Sequence, residues 1–239
     1  MSLPSSFRSR FSSCIWRSGA LVVLLSALAN TSAQAAPKAD AKQVAERVQA
    51  FYDRTKAVQS KFQQVYYLRL YKKKVTSKGQ VVVKKPGKMR WSYGNPAGKV
   101  IVSDGKVVKV YDPPEGGEPG QIFEQAIAGH QLPLAFSFLL GTARLDADFS
   151  FQLLDPKRYE FERGYVLKLL PKKPNPQFEA LVLFVEKEGD ALGAVRRVLI
   201  VETSGNLNWF NFSDMKFNAK VDDGVFRFEA PKGTRRARL

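Results

Sequence analysis

The chain has 239 residues, a formal net charge of +16, one cysteine and one histidine. An apolar fraction of 44% beside 25% charged residues is the composition of a globular protein and excludes a disordered chain. Cys14 and His130 are the sole residues of their types, which nearly excludes a Cys–His nucleophile pair or a Cys/His zinc cluster and leaves carboxylate chemistry or binding.

Residues 1–35 read as an export signal. Arg8, Arg10 and Arg17 make a positive start with no acidic residue, and Gly19 to Ala29 is an apolar run of eleven. That run is shorter than the ~20 residues of a membrane span. Ala33-Gln34-Ala35 then supplies a small-x-small cleavage pattern, so cleavage is expected after Ala35. An uncleaved anchor is the alternative. Cys14 precedes the apolar run and so is no lipid-modified first residue of a mature chain. Residues 36–239 are expected to form one cysteine-free domain, large enough to hold its own core.

Along that domain, the series Val44, Val48, Phe51 or Tyr52, Thr55, Val58 and Phe62 predicts a helix over 40–64 with Asp40 as its N-cap. Short strands follow at 65–71, 81–83, 89–93, 100–102 and 107–111. They are parted by Lys72-Lys73-Lys74, Lys78-Gly79, Pro86-Gly87, Asn95-Pro96 and the hairpin signal Asp104-Gly105. A Pro/Gly loop reaches Gly120. Residues 122–128 and 132–140 then look like two short apolar helices, neither stable alone in water. Strands return at 149–154, 159–161, 165–170, 180–185, 195–202, 207–212, 217–221 and 225–228, with a tight turn at Asp223-Gly224.

Period-two spacing puts Phe149/Phe151/Leu153, Tyr159/Phe161, Phe210/Phe212, Phe217/Ala219/Val221 and Phe226/Phe228 on one face of an antiparallel sheet. Those rings fill an ordinary core, or they line an apolar cavity in a curved, partly closed sheet with the 120–141 helices as its lid. Periodicity does not separate the two. Candidate cavity positions are Val48, Tyr52, Phe62, Trp91, Phe151 and Phe212; candidate lid positions are Ile122, Phe123, Ile127, Leu134 and Phe138.

An ordered series of short motifs runs through the whole domain. It begins with Val58-x-x-x-Phe62-x-Gln64, Gly79-x-Val81-x-Val83-Lys84-Lys85-Pro86 and Arg90-Trp91-x-Tyr93. Asn95-Pro96, Val102-Ser103-Asp104-Gly105-Lys106, Val110-Tyr111-Asp112 and Leu132-Pro133-Leu134 to Leu140-Gly141 come next. Leu192-Gly193-Ala194-Val195, Thr203-x-Gly205-Asn206 and Phe226-x-Phe228-x-x-Pro231-x-Gly233 complete it. In this order, behind an export signal, the series resembles the LolA family of periplasmic outer-membrane lipoprotein carriers.

The resemblance implies a mainly β fold with some α: an unclosed, half antiparallel β-barrel, here of about eleven strands, with a helical lid over an apolar cavity. It implies acylated lipoproteins as cargo, received from an inner-membrane ABC transporter and handed to an outer-membrane receptor, with no cofactor. A monomer is expected. In the family a basic residue, normally Arg, precedes the strand proline and bonds the lid backbone. Here that position is Lys85, whose compact ammonium lacks the planar fork of a guanidinium, and Arg90 is a candidate to share the task. Solvated strand-end charge is the alternative role for Lys84 and Lys85.

The basic balance, concentrated in Lys72–Lys74, Lys84-Lys85, Lys172-Lys173, Arg196-Arg197 and Arg235-Arg236-x-Arg238, fits anionic membranes or acidic partners. For an exported protein, no nucleic-acid partner is expected. Individual pairs also blunt strand edges. Ser103-x-x-Lys106 and Ser213-x-x-Lys216 lack the companion motifs that give Ser-x-x-Lys catalytic meaning, and no Walker, Gly-x-Ser-x-Gly or calcium loop occurs. Neither an enzyme nor a metal site is expected. His130 would sit between the two lid helices. Competing readings are a two-domain lipid-binding stress regulator, disfavoured because the chain ends at Leu239, and the receptor, which needs a lipidated cysteine. A carrier or sensor of another lipid, phospholipid or glycolipid, on the same fold stays open.

Overall fold

A computed structural model describes residues 39–95, 97–127 and 144–238. The expected export signal (1–35) and the helix expected at 132–140, with His130, Leu134 and Phe138, lie outside the described residues.

Helix α1 (Ala41–Arg54) starts where the sequence places it. The Asp40 carboxylate accepts the Gln43 amide at 2.7 Å and the Gln43 side chain accepts the Asp40 amide at 3.2 Å, a reciprocal capping box. Val44, Ala45, Val48, Phe51 and Tyr52 form its single buried stripe. The helix stops at Arg54, ten residues short of expectation. Val58 and Phe62 are four apart, a spacing that suits one face of a helix and one face of a strand equally. With Ser60 between them also buried, they belong to strand β1 (Ala57–Leu68).

Eleven further strands follow: β2 (Lys73–Lys84), β3 (Lys88–Asn95), β4 (Ala97–Asp104), β5 (Val107–Asp112), β6 (Gln121–Ala126), β7 (Phe149–Leu154), β8 (Gly164–Pro171), β9 (Phe178–Glu186), β10 (Val195–Glu202), β11 (Leu207–Phe217) and β12 (Arg235–Arg238). They make one sheet in the order β12-β6-β5-β4-β3-β2-β1-β11-β10-β9-β8-β7. Neighbours are antiparallel except β12, which runs parallel to β6. The end strands β7 and β12 do not pair with each other, so the sheet is an unclosed half barrel, as expected.

Four local expectations are corrected. Residues 121–126 are strand, not helix. Six residues too short to hold a helix pair instead with the free edge of β5, Tyr111 opposite Ile122 and Val110 opposite Phe123. Lys78-Gly79 is no turn but the middle of β2. A Cβ on Gly79 would lie 2.8 Å from the Phe62 ring, so the missing side chain is the space that ring occupies. Tyr159 closes a 3₁₀ turn (Pro156–Tyr159), opened by Pro156 and capped by Asp155, whose carboxylate accepts the Lys157 amide at 3.0 Å. The strands expected at 217–221 and 225–228 are the end of β11 and a segment that leaves the sheet through a second 3₁₀ turn (Asp223–Phe226). The basic tail, in turn, contributes an unforeseen strand, β12.

The expected single aromatic face is therefore three clusters. The inner face, which carries α1, holds Val58, Phe62, Trp91, Phe149, Leu167, Leu183, Val198 and Phe210. On the opposite face, Val221, Phe226 and Phe228 cover Val100, Val102, Tyr111 and Ile122. Further along that face, Tyr159 and Phe161 cover Val166, Phe184 and Leu199.

Asp223 ties the C-terminal segment to the sheet by accepting from Lys84 at 2.6 Å and Lys88 at 2.9 Å, and these two ammonium groups hold its carboxyl down at about 2. The native carboxyl titrates below its ordinary 3.8, so its stabilisation is complete above 3.8 and is lost as the pH falls through about 2. Urea midpoints of the wild type and Asp223→Asn are thus expected to differ by a constant amount above pH 3.8 and to converge as pH drops to about 2.

Candidate functional site

Between α1 and the inner face lies a wall of apolar side chains from five strands and the helix. Tyr52, Val58, Val81, Val83, Trp91, Val195, Val198, Phe212 and Met215 line it, with Ser60 the only polar residue among them. The space they enclose is about 20 Å³, room for a single water. The alternation that builds the wall is plain in the ladders. Val83, Val81 and Gly79 on β2 face the same side as Met89, Trp91 and Tyr93 on β3, while Lys84, Val82, Lys88 and Arg90 face the other.

Aromatic rings knit the middle of this face. Phe62 meets Trp91 at 4.9 Å and Tyr93 at 5.0 Å between ring centres, both edge-on, and Trp91 meets Phe210 at 5.4 Å. Edge-to-face pairs of this kind add to plain area burial. One end of the patch is polar. The Tyr93 hydroxyl donates to Gln64 at 3.0 Å, and Gln64 donates to Asn208 at 2.9 Å. Burial pushes the Tyr93 phenol up to about 12, so it stays a neutral donor.

Tyr52 joins the helix to both halves of the sheet. Its ring is fully buried, its hydroxyl accepts the Val195 amide at 3.1 Å, and burial pushes the phenol well above its ordinary range. Its carbonyl, in the last turn of α1, accepts from the Thr55 amide at 3.0 Å and from the Lys85 ammonium. A cation on these last carbonyls complements the negative end of the helix dipole. Burial lowers the Lys85 pKa while nearby Asp53 opposes the shift. The Lys85 amide also donates to the Lys56 carbonyl at 2.9 Å, fixing its strand end against the α1–β1 corner.

The structure gathers most of the residues singled out from the sequence. Val48, Tyr52, Phe62 and Trp91 are buried in the inner cluster; Phe151, Phe212 and Ile127 pack against it half-buried. Phe123 shares the inner face by its register with Val110, whereas Ile122 is buried on the opposite face. Lys85 and Arg90 are not brought together. Arg90 lies on the outer face, donating to the Val225 carbonyl at 3.1 Å and the Arg227 carbonyl at 3.3 Å, with its guanidinium over the Phe228 ring. Met215 escaped the sequence reading because a bulge opposite Gln59 to Lys61 puts it three residues after Phe212, an odd interval for one strand face. Ser60 sits at that bulge, its hydroxyl 2.7 Å from the Lys61 and Ser213 carbonyls.

Residues 53–229 match the family model described as outer membrane lipoprotein carrier protein LolA. An outer-membrane lipoprotein carrier protein of Nitrosomonas europaea is 25% identical over 186 residues, covering 78% of this chain and 84% of the relative. That of Cupriavidus pinatubonensis is 28% identical over 158 residues, 66% of this chain and 68% of the relative. Among solved structures, a LolA superfamily protein from Nitrosomonas europaea superposes with a TM-score of 0.44 at 15% identity, over 80% of this chain and 99% of that one.

Replacing Lys85 by Met keeps the apolar stem and removes the donor to the Tyr52 carbonyl. Losing one charge-assisted bond at a half-buried site is expected to cost about 1–2 kcal/mol in urea unfolding. Faster hydrogen exchange should appear at the end of α1 and the α1–β1 corner, with the β8–β10 amides unchanged. Unaltered exchange at α1 would show that Lys85 does not hold the helix.

Proposed function

The chain belongs to the LolA family of outer membrane lipoprotein carrier proteins, and on that footing we propose that it carries acylated lipoproteins through the periplasm with their acyl chains against its inner sheet face. The family is one of carriers rather than enzymes. The observation that carries the proposal is the composition of the inner wall, nine apolar side chains and one serine, Tyr52 of α1 among them. Such a wall offers a ligand non-directional apolar contact, which accepts cargo of many sequences and reads only the lipid.

The energetics set the rest of the cycle. Each acyl CH₂ left in water costs ~0.8 kcal/mol, so one long chain costs on the order of 10 kcal/mol. Uptake therefore needs an energised release machine at the inner membrane, for which an ABC transporter is the partner proposed, and delivery needs an outer-membrane receptor that binds the chains more strongly. A cavity of about 20 Å³ holds no acyl chain, so loading requires α1 to part from the sheet. The apolar stripe of α1 covers the wall when the carrier is empty, and cargo shifts the balance toward the open form. Lys85 and the Tyr52 hydroxyl, which pin the C-terminal end of α1 to the two halves of the sheet, set how readily it opens. Residues 1–35 act as the export signal, and the carrier works as a monomer.

The test is native mass spectrometry of the protein isolated from its own periplasm, beside Phe212→Glu. The wild type is expected to carry acylated lipoprotein. The variant, with a carboxylate on the wall, should keep its circular dichroism spectrum and come off empty. A free phospholipid or glycolipid as the bound species would replace the lipoprotein reading by carriage of another lipid. Retention of the full load by a folded Phe212→Glu would remove the inner face from the binding site.

A further inference from the structure

From Arg54 to Ser103 the sequence holds thirteen lysines and arginines and no acidic residue. Several of these cations are used by the fold. Lys61 pairs with Asp214 at 2.8 Å, Lys99 with Asp112 at 2.7 Å, and Lys84 and Lys88 with Asp223. Among the described residues, Arg69, Lys72, Lys73, Lys74 and Lys78 make no ion pair. All five belong to the β1–β2 hairpin.

That hairpin outreaches its sheet. The last partner of β2 on β3 is Asn95, opposite Lys78, so Lys73 to Ser77 pair with β1 alone. At ~3.3 Å per residue those five residues carry the turn about 17 Å past the end of β3. On the other side, β11 stops at Leu207 opposite Tyr67. The base is braced: Tyr66 donates to Glu202 at 2.9 Å, Asn206 donates to the Tyr66 hydroxyl at 2.9 Å, and the Arg69 amide donates to Asn206 at 3.0 Å. Every residue from Arg69 to Thr76 is exposed.

The tip is apolar where water would favour polar groups. Leu70 is 83% exposed and Tyr71 73%, the two most exposed large hydrophobic side chains among the described residues, and Val75 adds to them. Nothing in the fold requires a leucine and a tyrosine side by side on a projecting turn. Flanked by uncompensated cations, they match the chemistry of a lipid surface: an apolar tip for the acyl boundary, a tyrosine for the headgroup level and lysines for lipid phosphates.

We propose that the Arg69–Lys74 tip of the β1–β2 hairpin docks the protein on an anionic phospholipid membrane, Leu70 and Tyr71 entering the headgroup–acyl boundary. The docking is independent of what the inner face carries. It brings the carrier to the bilayer without committing it there, because two side chains and a few lysines give reversible attachment only.

Flotation of the purified protein with phosphatidylcholine vesicles, with and without phosphatidylglycerol, tests this. Binding is expected only with phosphatidylglycerol and should weaken as salt rises. Leu70→Ser should reduce it about tenfold, the worth of one buried leucine. Lys72, Lys73 and Lys74 changed together to Gln should reduce it about a hundredfold, at roughly one tenfold-equivalent or less per charge. Tyr71→Trp should gain a fluorescence response quenched by brominated acyl chains, beyond that of the wild type. Failure of the wild type to bind would overturn the proposal and leave an acidic protein as the occupant. Binding unchanged in the tip variants, or a Tyr71→Trp variant whose fluorescence is blind to brominated chains, would overturn it as well.

Discussion

A twelve-stranded sheet that does not close leaves its inner apolar face in need of cover, and everything else in the molecule follows from how that cover is attached. Helix α1 supplies it with one stripe of five side chains. Tyr52 is the fastening. Its ring is buried in the wall, its hydroxyl takes the amide of Val195 on β10, and its carbonyl takes the ammonium of Lys85 at the end of β2. One residue thus ties the helix to strands from both halves of the sheet. A contact made largely of apolar area, with polar bonds at Tyr52 and from Arg47 to the Tyr165 hydroxyl at 3.2 Å, is suited to opening as a unit, because most of it has no directional bonds to re-form.

The two faces of the sheet divide the work. On the outer face, apolar residues are sealed by covalently continuous chain: the 219–230 segment over β3–β6 and the Tyr159–Phe161 turn over β8–β10. Arginines close the edges of these seals, Arg90 over Phe228 and Arg197 over Phe184 and Trp209. Among the described residues the inner face is covered mainly by α1, which is tethered to the sheet through the corner at Thr55 and Lys56.

Much of this was legible in the residues, and the misses have physical causes. The class of fold, the start of α1 and the inner positions Tyr52, Trp91, Phe151 and Phe212 follow from period and capping chemistry. The end of α1 does not, since Val58 and Phe62 satisfy both periods. Residues 121–126 read as helix because local propensity cannot register the open edge of β5, a long-range partner. Met215 hid behind a bulge. Arg90, offered as a partner to Lys85, lies on the outer face, and the residues that flank it, Met89 and Trp91, which point inward, require that. The importance of Lys85 came from family resemblance alone, and its partner, the carbonyl of Tyr52, is a main-chain atom that no side-chain pattern announces.

The central claim is that α1 leaves the inner face when cargo enters. The direct measurement is the distance between spin labels at Ala50→Cys, on the exposed side of α1, and Gln80→Cys, on the outer face of β2, with Cys14 replaced by Ser. Pulsed electron paramagnetic resonance should give one narrow distance for the empty protein and a longer distribution when acylated lipoprotein is bound. Cargo bound stoichiometrically with the distance unchanged would contradict the account and place the acyl chains somewhere other than beneath this helix.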